Sequence, residues 1–319
     1  MNGPPSPVRL DYPSAWTAAA VRAVLEALPW LVGRRARLSA PRLRQLVKDR
    51  VALLALLRWL AEGHLPYQMA GTPLAQLGRE PVRVQGRRLY PFATLVPHRS
   101  VIRRLRRRPE ADGWATVPAV RWQSAEAQPE DILVFGLVLA LVARDEAESQ
   151  KALERGLPVR LIFPMPGDWH RWPRPQRVTL KYEGPEGLPL TLHGQSEEAL
   201  TAYPVALPPG QRLAPDLRWL ELYALSTEHL PQGRVGVLRQ GAKTPLVIRP
   251  AQWANLWLYG LEVWWLGYLP RRAFAQQARR LPPGSLKGMG VRLGQEAYGV
   301  PLSALRPMED LAARLIGEG

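Results

Sequence analysis

Cysteine is absent from the 319-residue chain. Its absence excludes disulfides, Cys-ligated zinc, iron–sulfur clusters and a thiol nucleophile. Lysine is scarce: of 43 basic residues only five, at positions 48, 151, 181, 243 and 287, are Lys, and the rest are Arg. Asparagine occurs twice, at positions 2 and 255. Abundant Arg, Ala, Gly, Pro and Leu beside scarce Ile, Asn and Lys is the composition of a GC-rich genome. Low Asn and no Cys also fit a thermophile, whereas low Lys does not.

Long apolar runs are missing too. The longest is Ile132–Ala143, well short of the roughly 20 residues a spanning helix needs. A second apolar stretch, Trp253–Leu269, is broken by Asn255 and Glu262. The Pro-rich start, Met1 to Pro7, has neither the basic nor the apolar part of a secretory signal. The expectation is a cytoplasmic protein with no membrane partner. Five histidines, at 64, 98, 170, 193 and 229, contain no i, i+3 or i, i+4 pair, so a helical metal motif is lacking. No Gly-x-Ser-x-Gly elbow occurs.

What is present is positive charge. The chain carries 43 Lys+Arg against 27 Asp+Glu, a net +16. Residues 1–110 hold 20 basic and 6 acidic residues, and residues 111–319 hold 23 and 21. Genome bias explains Arg in place of Lys but not this excess or its location. The partition predicts a basic module over 1–110 and a nearly neutral one over 111–319. A basic surface of this kind attracts polyanions, nucleic acid above all; the plain alternative is a solvated Arg-rich face.

The fold class expected is α+β. After an irregular leader over Pro4–Pro13, one helix runs from Ser14 to about Leu28. Another is opened by Ser39 and Pro41 and closes near Gly63. A short helix is expected over Thr72–Leu77. Val82–Tyr90 reads as a basic hairpin turning at Gln85-Gly86. Pro97–Arg108 reads as a helix whose Arg99, Arg103, Arg106 and Arg107 share a face, and Pro109–Gly113 as a linker. Two helices, a short third and a basic hairpin are the order of a winged-helix module. Pro129–Arg155 reads as one long helix. Strand patterns at 159–163, 177–182, 188–192, 220–225, 234–238 and 245–248 predict an antiparallel β-rich centre over about 158–250. Helices are expected again over Trp253–Tyr268, Arg271–Arg280 and Met308–Ile316.

Arg83, Arg87 and Arg88 of the hairpin and Arg99, Arg103, Arg106 and Arg107 of the following helix are the nucleic-acid-binding candidates. Their planar guanidinium forks suit phosphate and guanine edges. Metal-nuclease candidates are weaker. Lys181-Tyr182-Glu183 runs opposite to the usual Glu-x-Lys order, and Asp216 and Glu221 are followed by Tyr223 where a Lys belongs. Asp168 completes the set. These residues read more simply as strand-edge polar groups. Trp253, Trp257, Trp264, Trp265 and Tyr268 would form one face of a helix. Such a stripe is usually core, and if exposed it would serve a protein partner. Gly284-Ser285-Leu286-Lys287-Gly288-Met289-Gly290 lacks P-loop spacing. It is similar to the glycine-rich loops of CRISPR repeat-processing RNA-binding folds, a likeness of seven residues that assigns no family.

The expected function is weakly sequence-specific nucleic-acid binding by the N-terminal module, with a C-terminal module for assembly or sensing, in defence, replication or a mobile element. One alternative is a subunit of a multi-protein assembly that uses the basic face and the Trp stripe as interfaces. The second is a metal-dependent nuclease, the only reading that makes the chain an enzyme and the only one that requires Mg²⁺. No other cofactor is expected.

Overall fold

A computed structural model describes residues 5–32, 38–69, 77–78, 80–107, 113–123, 128–288 and 291–317. The chain divides into two units. The first comprises Met1–Thr17, Lys48–Leu141 and Tyr259–Gly319, and the second comprises Ala18–Val47 and Val142–Leu258. Each unit takes residues from both sides of position 110, so the domains are interleaved rather than consecutive.

In the first unit the run Ile132–Val142 is a strand, not the first half of a helix. Its first nine residues are all buried. An apolar run without alternation suits a strand covered on both faces as well as it suits a buried helix, and Ile132, Val134, Val138 and Val142 favour the pleat. The helix expected here begins only at Glu146. Asp145 caps it, its side chain accepting the Glu148 N–H at 2.8 Å.

This strand pairs in parallel with Arg87–Val96, with Phe92 opposite Phe135. Around that pair a six-stranded sheet runs in the order Val8–Asp11, Leu258–Pro270, Ile132–Val142, Arg87–Val96, Val82–Val84, Gln68–Met69. The leader is therefore not wholly irregular: Val8 faces Trp265 and Asp11 faces Glu262 across an antiparallel edge. The expected hairpin is present. Gln85 and Gly86 take positive φ of 48° and 76°, the left-handed pair that matches a two-residue turn to strand twist. The hairpin belongs to the sheet rather than standing free as a wing.

Trp253–Tyr268 is not a helix either. Leu258–Pro270 is a 13-residue strand, and a 3₁₀ turn, Pro250–Gln252, precedes Trp253. In a strand Trp264 and Trp265 point to opposite faces. Both are fully buried because the sheet is covered on both sides. Trp264 lies under the Arg9 guanidinium, 4.5 Å from its ring centre, and donates from Nε1 to Glu262 at 2.6 Å. Trp265 packs over Gly136 of the neighbouring strand.

On one face of the sheet the core gathers Leu133, Phe135, Leu137 and Trp264 with Ile102 and Leu105 of the helix Arg99–Arg107. Phe135 stacks between Phe92 and Phe274 at 5.9 and 5.7 Å. The same core reaches a small antiparallel sheet, Arg279–Leu281, Ala297–Pro301 and Trp114–Pro118. The 23-residue helix Ala40–Glu62 contributes buried Val51, Leu53, Leu56 and Leu60. Its Lys48, also buried, donates from Nζ to the Ala93 carbonyl at 2.6 Å and to Asp49 at 2.5 Å. Helices at Ser14–Glu26, Arg271–Gln277 and Met308–Gly317 stand where they are expected. The short helix expected over 72–77 lies almost wholly outside the described residues, as does most of the 109–113 linker.

The second unit carries the β-rich centre. Its nine-stranded sheet has the main order Leu200–Leu207, Leu188–Ser196, Arg218–Thr227, Gln176–Glu183, Arg234–Arg239, Leu246–Ile248. Leu161–Pro164 joins Arg218–Thr227 to Ala254–Asn255. Its described strands pair antiparallel, as the alternation over 158–250 predicts. The strand Leu200–Leu207 was not expected. It holds Pro204 at the edge of the sheet, the place where proline is tolerated in a strand. The fold is α+β, and no described helix is long and apolar enough to cross a membrane.

Gly136 tests the central pairing. A Cβ there would lie 2.6 Å from Trp265 Cε3 and 2.7 Å from the Trp264 carbonyl oxygen. Gly136→Ala is expected to lower unfolding stability by about 2 kcal/mol, the cost of overpacking a tight core. An unchanged urea midpoint would contradict the packing of Trp265 on this strand.

Candidate functional site

The helix Arg99–Arg107 has the sequence RSVIRRLRR. Ile102 and Leu105 anchor it in the core at 3% and 2% exposure. At about 100° per residue, Arg99, Arg103, Arg107, Ser100 and Arg104 fan over an arc of roughly 140° on the opposite side. All five are exposed. Arg106 stands at the margin of the arc and is held by Glu262 at 2.5 Å. Arg99, Arg103, Arg104 and Arg107 form no ion pair among the described residues. Arg99 and Arg103, and Arg103 and Arg107, are like charges at i, i+4, each pair destabilising the helix by a few tenths of a kcal/mol. An anion on this face relieves that repulsion.

The hairpin arginines have other surroundings. Arg83 is exposed, opposite Arg88 in the antiparallel register. Arg88 belongs to the architecture. Its Nε and Nη2 donate to the two oxygens of Asp131 at 2.8 and 3.0 Å, and Asp131 is 3% exposed. The Gln128 N–H adds a third bond to the same carboxylate at 2.8 Å. A buried carboxylate this well satisfied depends on its cation, so Arg88 is not available to a ligand. Arg87 is half-buried and engaged within the protein.

The nuclease candidates do not come together. Glu183 is bound to Lys181 at 3.0 Å and to Arg234 at 3.1 Å; the Lys181 hydrogen bond leads in holding its carboxyl below the usual range. Asp216 is 91% exposed and paired with Arg177 at 2.8 Å. Among the described residues no three His, Asp or Glu side chains are placed to hold a metal. Asp168 and Glu221 fall near a cluster that sequence reasoning missed. The 3₁₀ turn Gly167–Trp169 is fastened to the strand Arg218–Thr227 on both sides, Met165 N to Tyr223 O at 2.9 Å and Trp172 N to Leu220 O at 3.0 Å. That brings the His170 ring to 5.9 Å from Tyr223. Burial lowers the His170 pKa, and burial followed by Glu221 raises the Tyr223 phenol. Tyr223 is 4% exposed and His170 Nε2 is buried without a partner among the described residues.

The Trp stripe is core. Trp253, Trp264, Trp265 and Tyr268 are 5%, 0%, 0% and 1% exposed, so they offer no surface to a partner. Trp257 differs: it is half-buried and lines a cavity in the second unit. The glycine-rich loop is anchored at Gly284. Gly284 N–H donates to Leu293 O at 2.8 Å, and Arg292 donates to the Gly284 carbonyl at 2.9 Å. Met289 and Gly290 lie outside the described residues.

The cavity has a volume of about 610 Å³. One wall is the helix Ser14–Glu26, and His193, Arg160 and Glu228 come from the sheet side. His193 is 7% exposed, and Nε2 lies 2.8 Å from Ser226 Oγ. Arg160 is paired with Glu228. Burial first, and the Arg160 charge second, bring the His193 pKa down to about 4, so the ring is neutral at pH 7.

No family model matches the chain, and no curated protein or solved structure matches it.

The depressed His193 pKa makes stability depend on pH. The unfolded chain takes up the proton first, so the contribution is present above pH 6.5 and is lost as pH falls toward 4. The shift corresponds to about 3 kcal/mol. His193→Gln is expected to flatten the fall in urea midpoint between pH 6.5 and 4. An identical acid limb in the variant would contradict the burial of His193.

Proposed function

We propose that the chain binds nucleic acid with little sequence preference through the helix Arg99–Arg107 of the first unit. The observation that carries this reading is the fan of Arg99, Arg103, Arg104 and Arg107, exposed and without ion-pair partners among the described residues. Guanidinium forks on a solvated helix face pair with phosphate oxygens, contacts that position a nucleic acid without reading its bases. Arg83, on the exposed side of the hairpin, is a further phosphate contact. The winged-helix form of the reading would make the 82–96 hairpin a wing. We place the contact on the helix instead, because Arg88 holds Asp131 and the hairpin's second strand is paired on both edges. The second unit serves sensing or assembly. Burial of four of the five stripe aromatics removes the main support for an assembly built on them.

Fluorescence anisotropy with labelled single- and double-stranded DNA and RNA tests the reading. Charge reversal at Arg103, Arg104 and Arg107 is expected to weaken binding at least about 30-fold at 100 mM salt, roughly 2 kcal/mol. Arg212→Glu in the second unit should change it less than about twofold. Unchanged affinity in the triple variant, or no binding of any form at low salt, would overturn the proposal.

A further inference from the structure

We propose that the cavity of the second unit is a binding site for a planar aromatic molecule carrying one anionic group. The inference is independent of the nucleic-acid reading, which concerns the first unit. A volume of about 610 Å³ lies within the range of small-molecule sites.

The apolar part of the cavity is built for a flat ring. Ala18, Val21 and Leu25 follow one another at i, i+3, i+7 along the helix Ser14–Glu26 and present one face to the cavity. Trp257 contributes an aromatic wall. Its backbone is fixed by Asn255, 1% exposed, whose Oδ1 accepts the Trp257 N–H at 3.0 Å and the Arg160 N–H at 3.1 Å. One of the two asparagines in the chain thus sets both the aromatic wall and the neighbouring cation. A positioned indole that is not fully packed favours a stacked ring.

The polar part selects the rest of the ligand. His193 uses Nε2 on Ser226 Oγ, and its Nδ1 has no partner among the described residues. A neutral imidazole can offer that nitrogen as acceptor or donor, according to its tautomer. A hydrocarbon would leave it unsatisfied, whereas the edge of a heterocycle or a ring N–H pairs with it. The lining carries two cations, Arg22 and Arg160, and two carboxylates, Glu26 and Glu228, so Arg22 is the cation left to meet an anion. Arg160 is held in place by Glu228, and Arg22 is exposed with no ion-pair partner among the described residues, although Glu26 lies one helical turn away. Two sources share this chemistry: a nucleoside monophosphate and an aromatic carboxylate.

Isothermal titration of the full chain with adenosine 5′-monophosphate and with indole-3-acetate tests the site, with adenosine and indole as uncharged parents. At least one anion is expected to bind with a Kd of about 10–500 μM, at least about fivefold tighter than its parent. The anion that binds identifies the source as phosphate or carboxylate. Ala202 lines the cavity and is exposed, so Ala202→Trp fills the space without disturbing the core. It is expected to weaken binding at least about tenfold. Arg22→Glu should weaken the anion at least about fivefold and leave the uncharged parent unchanged. Charge reversal at Arg103, Arg104 and Arg107 should leave this binding intact, which separates failure of this site from failure of the nucleic-acid reading. Lack of binding by either anion at about 5 mM, or equal binding by Ala202→Trp, would overturn the proposal.

Discussion

The strand Ile132–Val142 pairs in parallel with Arg87–Val96, and much of the first unit follows from that pairing. Parallel strands cannot be joined by a tight turn; the chain must cross from the end of one to the start of the other. Here the crossover carries the helix Arg99–Arg107 and the strand Trp114–Pro118. The helix needs only Ile102 and Leu105 to seal it on the sheet. Its remaining surface is free for charge. The same central strand buries Trp265 over Gly136, and its start at Asp131 fixes Arg88. One hydrophobic pairing thus decides which arginines are structural and which face solvent.

Charge in this protein is meaningful only after that sorting. By spatial unit, the first holds 23 Lys+Arg and 14 Asp+Glu, a net +9, and the second holds 20 and 13, a net +7. The excess concentrated in residues 1–110 is shared between two interleaved units. Arg88 with Asp131, Arg106 with Glu262, and Arg177 with Asp216 are pairs whose cations are partly or wholly satisfied. The arginines of the 99–107 arc are not, and their mutual repulsion is an unmet electrostatic demand. The second unit places Arg22 and Arg160 beside a cavity rather than on an open face, which suits a small ligand better than a polymer.

Several features were legible in the sequence because they have local causes. Gln85-Gly86 fixes a two-residue turn, alternation marks the strands between 158 and 250, and 3.6-residue spacing places the arginines of 99–107 on one arc. Ile132–Val142 was not legible because burial on both faces erases alternation. The tryptophans of 253–268 have helical spacing by coincidence; covered faces on both sides of the strand bury Trp264 and Trp265, whereas Trp253 and Trp257 precede it. Val8–Asp11 is short and Pro-flanked, and it becomes a strand only because Leu258–Pro270 offers an edge. The cavity has no local signal at all. Helix 14–26, His193, Glu228 and Trp257 are distant in sequence and meet only in the folded unit.

Photo-crosslinking from Ser100, exposed on the arc between Arg107 and Arg104, tests most directly whether nucleic acid sits on the proposed face. A benzoylphenylalanine placed there is compared with one at exposed Val247 of the second unit. Covalent capture of labelled oligonucleotide from position 100 and not from position 247 is the result the proposed contact predicts. Capture from position 247 alone, or from neither position under conditions where the protein binds, would contradict it.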